Sequence, residues 1–121
     1  MNAFYVFVGG GLGSLVRYAI SLFIGNFTST TFPVATLLSN SISCAILALV
    51  TVFFSAKMND SSWMQPLLLI GFCGGFSTFS TFSAETVSLI QSGNVFYAVL
   101  NVLVSVSVGM GIIYYLLGSI K

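Results

Sequence analysis

The chain has 121 residues, of which 57% are hydrophobic and only 4% are charged, and its mean hydropathy is +1.08. A soluble domain needs a more polar surface than this composition supplies, so we expect an integral membrane protein. Histidine is absent and the only acids are Asp60 and Glu85, which excludes catalytic triads, carboxylate pairs and zinc sites within one chain. We therefore expect neither an enzyme nor a nucleic-acid partner.

Four long apolar runs lie at residues 3–24, 33–56, 64–90 and 94–118. Each is close to the roughly 20 residues that a helix needs to cross the hydrocarbon of a membrane. The runs are continuous, whereas the strands of a membrane β-barrel alternate between apolar and polar residues. The predicted fold is thus an all-α membrane protein, a single transmembrane domain over residues 1–121, located in the cell membrane (plasma or inner).

The few basic residues give a weak orientation signal. Lys57, in a predicted polar loop over residues 57–62, shares one side of the membrane with Lys121, while Arg17 lies toward the other side. So little bias is compatible with insertion in both orientations, a dual topology, and this would allow an antiparallel homodimer, which we take as a hypothesis. The alternative is a fixed orientation with an oppositely oriented partner chain.

Polar side chains form stripes on the second and fourth spans. They recur there mostly at helical spacing: Thr36, Ser39, Asn40, Ser43, Asn94, Asn101 and Ser105. The amide of Asn40 is able to donate a hydrogen bond to an anion. The stripes indicate a polar pathway, although hydrogen bonding between helices explains either stripe equally well.

The third span contains Gly74-Gly75 followed by serine and threonine. A helix broken at this point would free backbone groups, which are tolerated in a bilayer only when they are buried or face an ion or water. The break is therefore a candidate ion site. The alternative is that Gly71, Gly74 and Gly75 only let neighbouring helices approach closely, as Gly9 to Gly13 are expected to do on the first span.

Phe79 and Phe82 follow the break on one helix face, between hydroxyl-bearing residues. The edges of aromatic rings carry partial positive charge, so the two rings can present an electropositive wall to a small anion. The simpler interpretation is packing against lipid or core. Arg17 and Glu85 are costly at membrane depth and are candidates for a functional or entry role, or for anchoring a helix end.

Three motifs resemble the CrcB/Fluc family of fluoride channels over essentially the whole chain. They are the glycine-rich entry from Gly9 to Gly13 leading to Arg17-Tyr18, the motif Thr36-Leu37-Leu38-Ser39-Asn40, and the stretch from Gly71 to Phe82. The resemblance implies a four-helix subunit with a broken third helix that pairs with an antiparallel copy of itself. It also implies two fluoride pathways that export fluoride passively and protect the cell from it.

The resemblance also implies site residues. In the family, positions matching Phe79, Phe82 and Asn40 line the fluoride pathway, and we extend that pathway to Thr36, Ser105 and Asn101. A sodium ion is expected at the dimer centre, held by the main-chain carbonyls of Gly74 and Ser77. Ser77 stands where the family more often has threonine, and Asn101 where some members have tyrosine.

Two other classes of membrane protein fit the composition. A small dual-topology, proton-coupled multidrug exporter would use Glu85 as its membrane carboxylate, but such exporters carry an acid in the first helix, where this chain has Arg17. A purely structural subunit would assemble through its glycines and would not transport ions.

Overall fold

The computed structural model describes residues 2–119, apart from the side chain of Met58, and all secondary structure in this range is helical. The elements are α1 (Asn2–Phe27), α2 (Val34–Asp60), a π-helical segment (Gln65–Cys73), α3 (Gly74–Phe76), α4 (Phe79–Gln91) and α5 (Val95–Ser119).

Within residues 2–119, four helices are long and apolar enough to cross a membrane: Asn2–Phe27, Val34–Lys57, Gln65–Gln91 and Val95–Ser119. The third of these, called the third span below, comprises the π-helical segment, α3 and α4. The prediction of an all-helical membrane protein with four spans is confirmed.

The polar loop predicted at residues 57–62 is wrong for most of its length. Helix α2 continues to Asp60, and the Ser61 N–H still donates to the Lys57 carbonyl over 2.8 Å. No glycine or proline interrupts this stretch, and Lys57 in the last turn is favourably placed near the negative end of the helix dipole. Polar residues at the membrane boundary thus extend the helix rather than ending it.

Prolines and one glycine mark the ends of the spans. Pro33 immediately precedes α2, and Pro66 lies in the first turn of the π-helical segment, where its missing N–H costs no helical hydrogen bond. Gly93 has a φ of 86° in the turn between α4 and α5, a backbone conformation that favours glycine. That turn makes α4 and α5 antiparallel neighbours.

The third span changes its neighbour part-way along. The π-helical segment and α3 pack mainly against α1, whereas α4 packs against α5, and α5 also packs against α2. A Cβ added at Gly9 or Gly13 would overlap the backbone of the π-helical segment, which confirms close packing by these two residues. A Cβ added at Gly11 would meet no atom of another helix within 4 Å among the described residues, so Gly11 does not serve close packing within one subunit.

Candidate functional site

Two residues in extended conformation separate α3 from α4. Ser77 has φ −83° and ψ 158°, and Thr78 has φ −150° and ψ 122°. Thr78 is the N-cap of α4, because its Oγ1 accepts a hydrogen bond from the Thr81 N–H over 3.2 Å. The chain therefore starts a new helix at Phe79, and its first turn is capped by the residue just before it.

Asn40, on the neighbouring helix α2, forms hydrogen bonds with the extended residue Thr78. Its Oδ1 accepts from the Thr78 N–H over 2.8 Å, and its Nδ2 donates to the Thr78 carbonyl over 3.2 Å. One amide side chain on α2 thus satisfies both backbone groups of Thr78, which would otherwise lack partners inside a membrane.

These caps leave two carbonyls without their helical donors. In a continuous α-helix the N–H of Thr78 would bond to the carbonyl of Gly74, and the N–H of Thr81 to that of Ser77. Here the first donates to Asn40 and the second to the Thr78 hydroxyl. Among residues 2–119 no three His, Cys, Asp or Glu side chains come together to hold a metal. The oxygens available to a cation beside the two extended residues are thus uncharged ones, from the backbone and from hydroxyl and amide side chains.

A cavity of about 270 Å³ lies directly beside the extended residues, and we call it the phenylalanine cavity. Its walls come from α2, from the start of α4 and from α5: Asn40, Cys44, Ser77, Thr78, Phe79, Phe82, Ser105, Val106 and Gly109. The rings of Phe79 and Phe82 have centroids 6.0 Å apart and planes tilted by 38°. None of the lining residues carries a formal charge, and the lining is mainly apolar with a few polar side chains.

The cavity brings together several of the predicted pathway residues. Asn40, Phe79, Phe82 and Ser105 all line it, although they come from three different helices. Thr36 and Asn101 do not line it. Cys44 also lines it, and its position four residues after Asn40 on the same helix face is the signal that could have identified it.

Comparison with known proteins places the chain in a family. The family model described as "CrcB-like protein, Camphor Resistance (CrcB)" matches residues 4–119. The chain belongs to the CrcB family. It is a multi-pass integral membrane protein.

Relatives in this family are similar over most of their length. A protein from Flavobacterium psychrophilum named fluoride-specific ion channel FluC is 38% identical over 107 residues, which cover 88% of this chain and 86% of the relative. A relative of the same name from Coxiella burnetii is 39% identical over 109 residues, covering 88% and 87%. Fluoride-specific ion channel FluC 1 from Yersinia pestis is 42% identical over 102 residues, covering 84% and 80%.

Asn101 lies behind the cavity wall in this CrcB protein rather than on it. Its side chain is 1% exposed, its Nδ2 donates to Thr86 Oγ1 over 3.0 Å, and its Oδ1 accepts from Ser105 Oγ over 3.2 Å. The Thr86 hydroxyl in turn donates to the Phe82 carbonyl over 2.8 Å. Thr86 was not singled out in the sequence. It stands seven residues before Gly93 while Asn101 stands eight after it, so a tight turn at Gly93 would have predicted their contact.

Arg17 is bonded to the α3 segment from α1. Its Nε–H donates to the Gly75 carbonyl over 3.3 Å, and the Ser14 hydroxyl donates to the same oxygen over 3.5 Å. The arginine therefore supplies a charged donor one residue beyond Gly74, which reduces the cost of placing it at membrane depth.

Glu85 lies in a second, larger hollow of about 760 Å³. Threonine and serine hydroxyls dominate its polar lining: Thr30, Thr31, Ser80, Thr81, Ser88 and Ser92. The Thr36 hydroxyl donates to Glu85 Oε1 from outside this lining. The structure thus pairs two predicted residues, Thr36 and Glu85, away from the phenylalanine cavity.

Proposed function

We propose that this chain is the subunit of a fluoride-selective ion channel that exports fluoride passively across the cell membrane and relieves its toxicity. The observation that carries the proposal is the phenylalanine cavity, which is lined by two phenylalanine rings, an amide and hydroxyl-bearing residues and by no charged residue. The named function of the FluC relatives from three bacteria supports it. Those relatives also favour transport over enzymatic activity.

Fluoride chemistry fits this lining. A pore must replace the water around a small, strongly hydrated anion with several donors, each weak enough to release it. The Asn40 amide has two N–H donors, one of which bonds to Thr78, so the second is available to an anion. The rings of Phe79 and Phe82 add partial positive charge at their edges without a fixed cation.

The dimer in our proposal is antiparallel, with both copies of the same chain. Phe79 lines the cavity yet is 80% exposed in one subunit, so much of its ring is left for a second surface to cover. The weak charge bias of the sequence supports insertion in both orientations. Two copies would then form two equivalent fluoride pathways.

The cation we propose at the dimer centre is sodium. Support comes from the Gly74 and Ser77 carbonyls, whose helical donors bond elsewhere, because Na⁺ is a hard cation that takes oxygen ligands. Replacing sodium by N-methylglucamine throughout purification should lower fluoride flux, and flux restored only by sodium would support the site. Full flux in protein kept free of sodium would contradict it.

The exporter alternative gains no support. Glu85 is the one acid available within the spans, and it lies on the large hollow with Thr36 as a hydrogen-bond donor. An exporter of this class uses an acid in the first helix, where α1 carries none.

The proposed function is tested by ion efflux from liposomes. The purified protein is reconstituted with potassium fluoride or potassium chloride inside, valinomycin starts the efflux, and ion-selective electrodes record the loss. We expect rapid loss of fluoride while chloride is retained. No fluoride loss from protein shown to be dimeric would contradict the proposal.

The antiparallel arrangement has its own test. Three lysines added after Asp60, in the short link before the third span, should force one orientation and abolish fluoride flux. The same lysines added to a tandem pair linked through an extra helix in opposite orientations should leave flux intact. Full activity of the lysine variant alone would favour a parallel assembly.

A further inference from the structure

Four polar groups form one chain of hydrogen bonds from α5 to the backbone of α4. Ser105 bonds to Asn101, Asn101 bonds to Thr86, and Thr86 bonds to the carbonyl of Phe82. Of the four residues in this hydrogen-bond network, Ser105 and Phe82 line the phenylalanine cavity, and Asn101 and Thr86 do not. The network therefore connects a hydroxyl on one cavity wall with the backbone of a ring on the other.

The carbonyl at one end fixes the direction of every proton in the network. A carbonyl oxygen can only accept, so the single hydroxyl proton of Thr86 is committed to Phe82. Thr86 must then accept from Asn101, which places the amide nitrogen toward Thr86 and the amide oxygen toward Ser105. Ser105 must therefore donate its own proton to Asn101.

The consequence for the cavity is that Ser105 presents oxygen lone pairs rather than a proton. An anion at this wall can gain the Ser105 donor only if the hydroxyl turns away from Asn101. The Asn101 oxygen is buried and then loses its donor, which carries a cost in free energy. The anion and Asn101 thus compete for one proton.

We propose that Asn101 is a positioning residue that holds the Ser105 proton away from the cavity and so weakens the hold of the pathway on its anion. This inference rests on the proposed function, because the anion is fluoride. Weak binding at each site favours conduction over trapping.

The test measures fluoride conductance against fluoride concentration in planar bilayers. Asn101→Leu, which has a similar shape but no acceptor, should lower the half-saturating fluoride concentration by about three- to tenfold, as expected for one hydrogen bond gained. Ser105→Ala should raise that concentration. The double variant should match Ser105→Ala, since Asn101 acts only through the Ser105 proton.

Thr86→Val is a second route to the same result and does not alter the cavity lining. Without the Thr86 anchor the Asn101 amide can reverse and donate to Ser105, so the half-saturating concentration should again fall. Thr51→Val is the matched control, because the Thr51 hydroxyl bonds only to the Leu47 carbonyl of its own helix. It should leave the concentration unchanged.

The conductance measurements distinguish a failure of the role proposed for Asn101 from a failure of the proposed channel function. An unchanged half-saturating concentration in both Asn101→Leu and Thr86→Val, with wild-type conductance present, would overturn the inference alone. An equal fall with or without Ser105 would also overturn it and assign Asn101 to packing. No fluoride conductance in the wild type would overturn the proposed function and this inference together.

Discussion

The first half of the third span, residues 65–76, packs closely on α1 through backbone contacts and two side-chain bonds to the Gly75 carbonyl, whereas the second half, α4, packs on α5 and is joined to it by one side-chain hydrogen bond. Gly9, Gly13 and Gly75 let backbones touch in the first half. Asn101 and Thr86 connect the helices in the second, next to a largely exposed Phe79. The first half, which we call the closely packed half, thus fixes the position of the third span against α1. The second half carries side chains that are able to contact an ion.

We expect the greatest loss of stability when the packing between α1 and the closely packed half of the third span is disturbed. In Gly13→Ala the new methyl group would overlap the Phe72 carbonyl and approach the Phe76 nitrogen to 2.8 Å, and backbone atoms cannot move aside cheaply. We expect the free energy of unfolding to fall by about 3 kcal/mol or more. Thermal unfolding in detergent measures this. Gly11→Ala, with open space around it, should be nearly neutral, and equal effects of the two changes would contradict the packing described.

The next effect concerns the amide that bonds to Thr78. Asn40→Leu removes both hydrogen bonds to the Thr78 backbone and one donor from the cavity, so fluoride efflux should fall at least about tenfold. Ser43→Ala is the control on the same helix. The Ser43 hydroxyl donates to the Cys73 carbonyl in the closely packed half, and Ser43 does not line the cavity. Loss of efflux in Ser43→Ala to the same degree would remove the distinction between the halves.

The smallest effect is expected where α1 donates to the α3 carbonyl. Arg17→Met removes the charged donor to Gly75, and we expect a loss of about 1–2 kcal/mol in the free energy of unfolding. Ser21→Ala removes a hydroxyl that bonds only to the Arg17 carbonyl of its own helix, and should cost less. The midpoints of thermal unfolding of the two variants decide this. Equal midpoints would show that the hydrogen bond from Arg17 to the Gly75 carbonyl does not stabilise the protein.

Much of this architecture follows from the sequence, because hydropathy alone locates four spans in a chain with so few charges. That Asn40, Phe79 and Phe82 share one site was expected from the resemblance to the CrcB/Fluc family, and we had extended that site to Ser105; helical spacing alone left packing as an equal explanation. The hydrogen bonds from Asn40 to Thr78 were not predicted, because they depend on the place at which the neighbouring helix ends in the folded protein. A π-helical segment leaves no simple periodic signal, and the end of α2 was misplaced because polar residues at a membrane surface do not distinguish a loop from a last helical turn.

Two residues of the predicted pathway carry a general point about such small membrane proteins. Asn101 and Thr36 look like members of a polar pathway on their helices, yet they bond to Thr86 and Glu85 respectively and do not line the phenylalanine cavity. Helical spacing identifies the face on which a residue lies. It does not distinguish a wall residue from one that bonds to a neighbouring helix behind the wall.

The two rings of the phenylalanine cavity, Phe79 and Phe82, are proposed to form part of the fluoride pathway, so changing either ring should slow ion efflux from liposomes. Phe79→Ile and Phe82→Ile should each lower fluoride efflux by at least about tenfold while the purified protein remains dimeric. Phe96→Ile, at a ring that is 73% exposed on α5 and does not line the cavity, should conduct as the wild type does. Fluoride loss at the wild-type rate in both Phe79→Ile and Phe82→Ile would contradict the account.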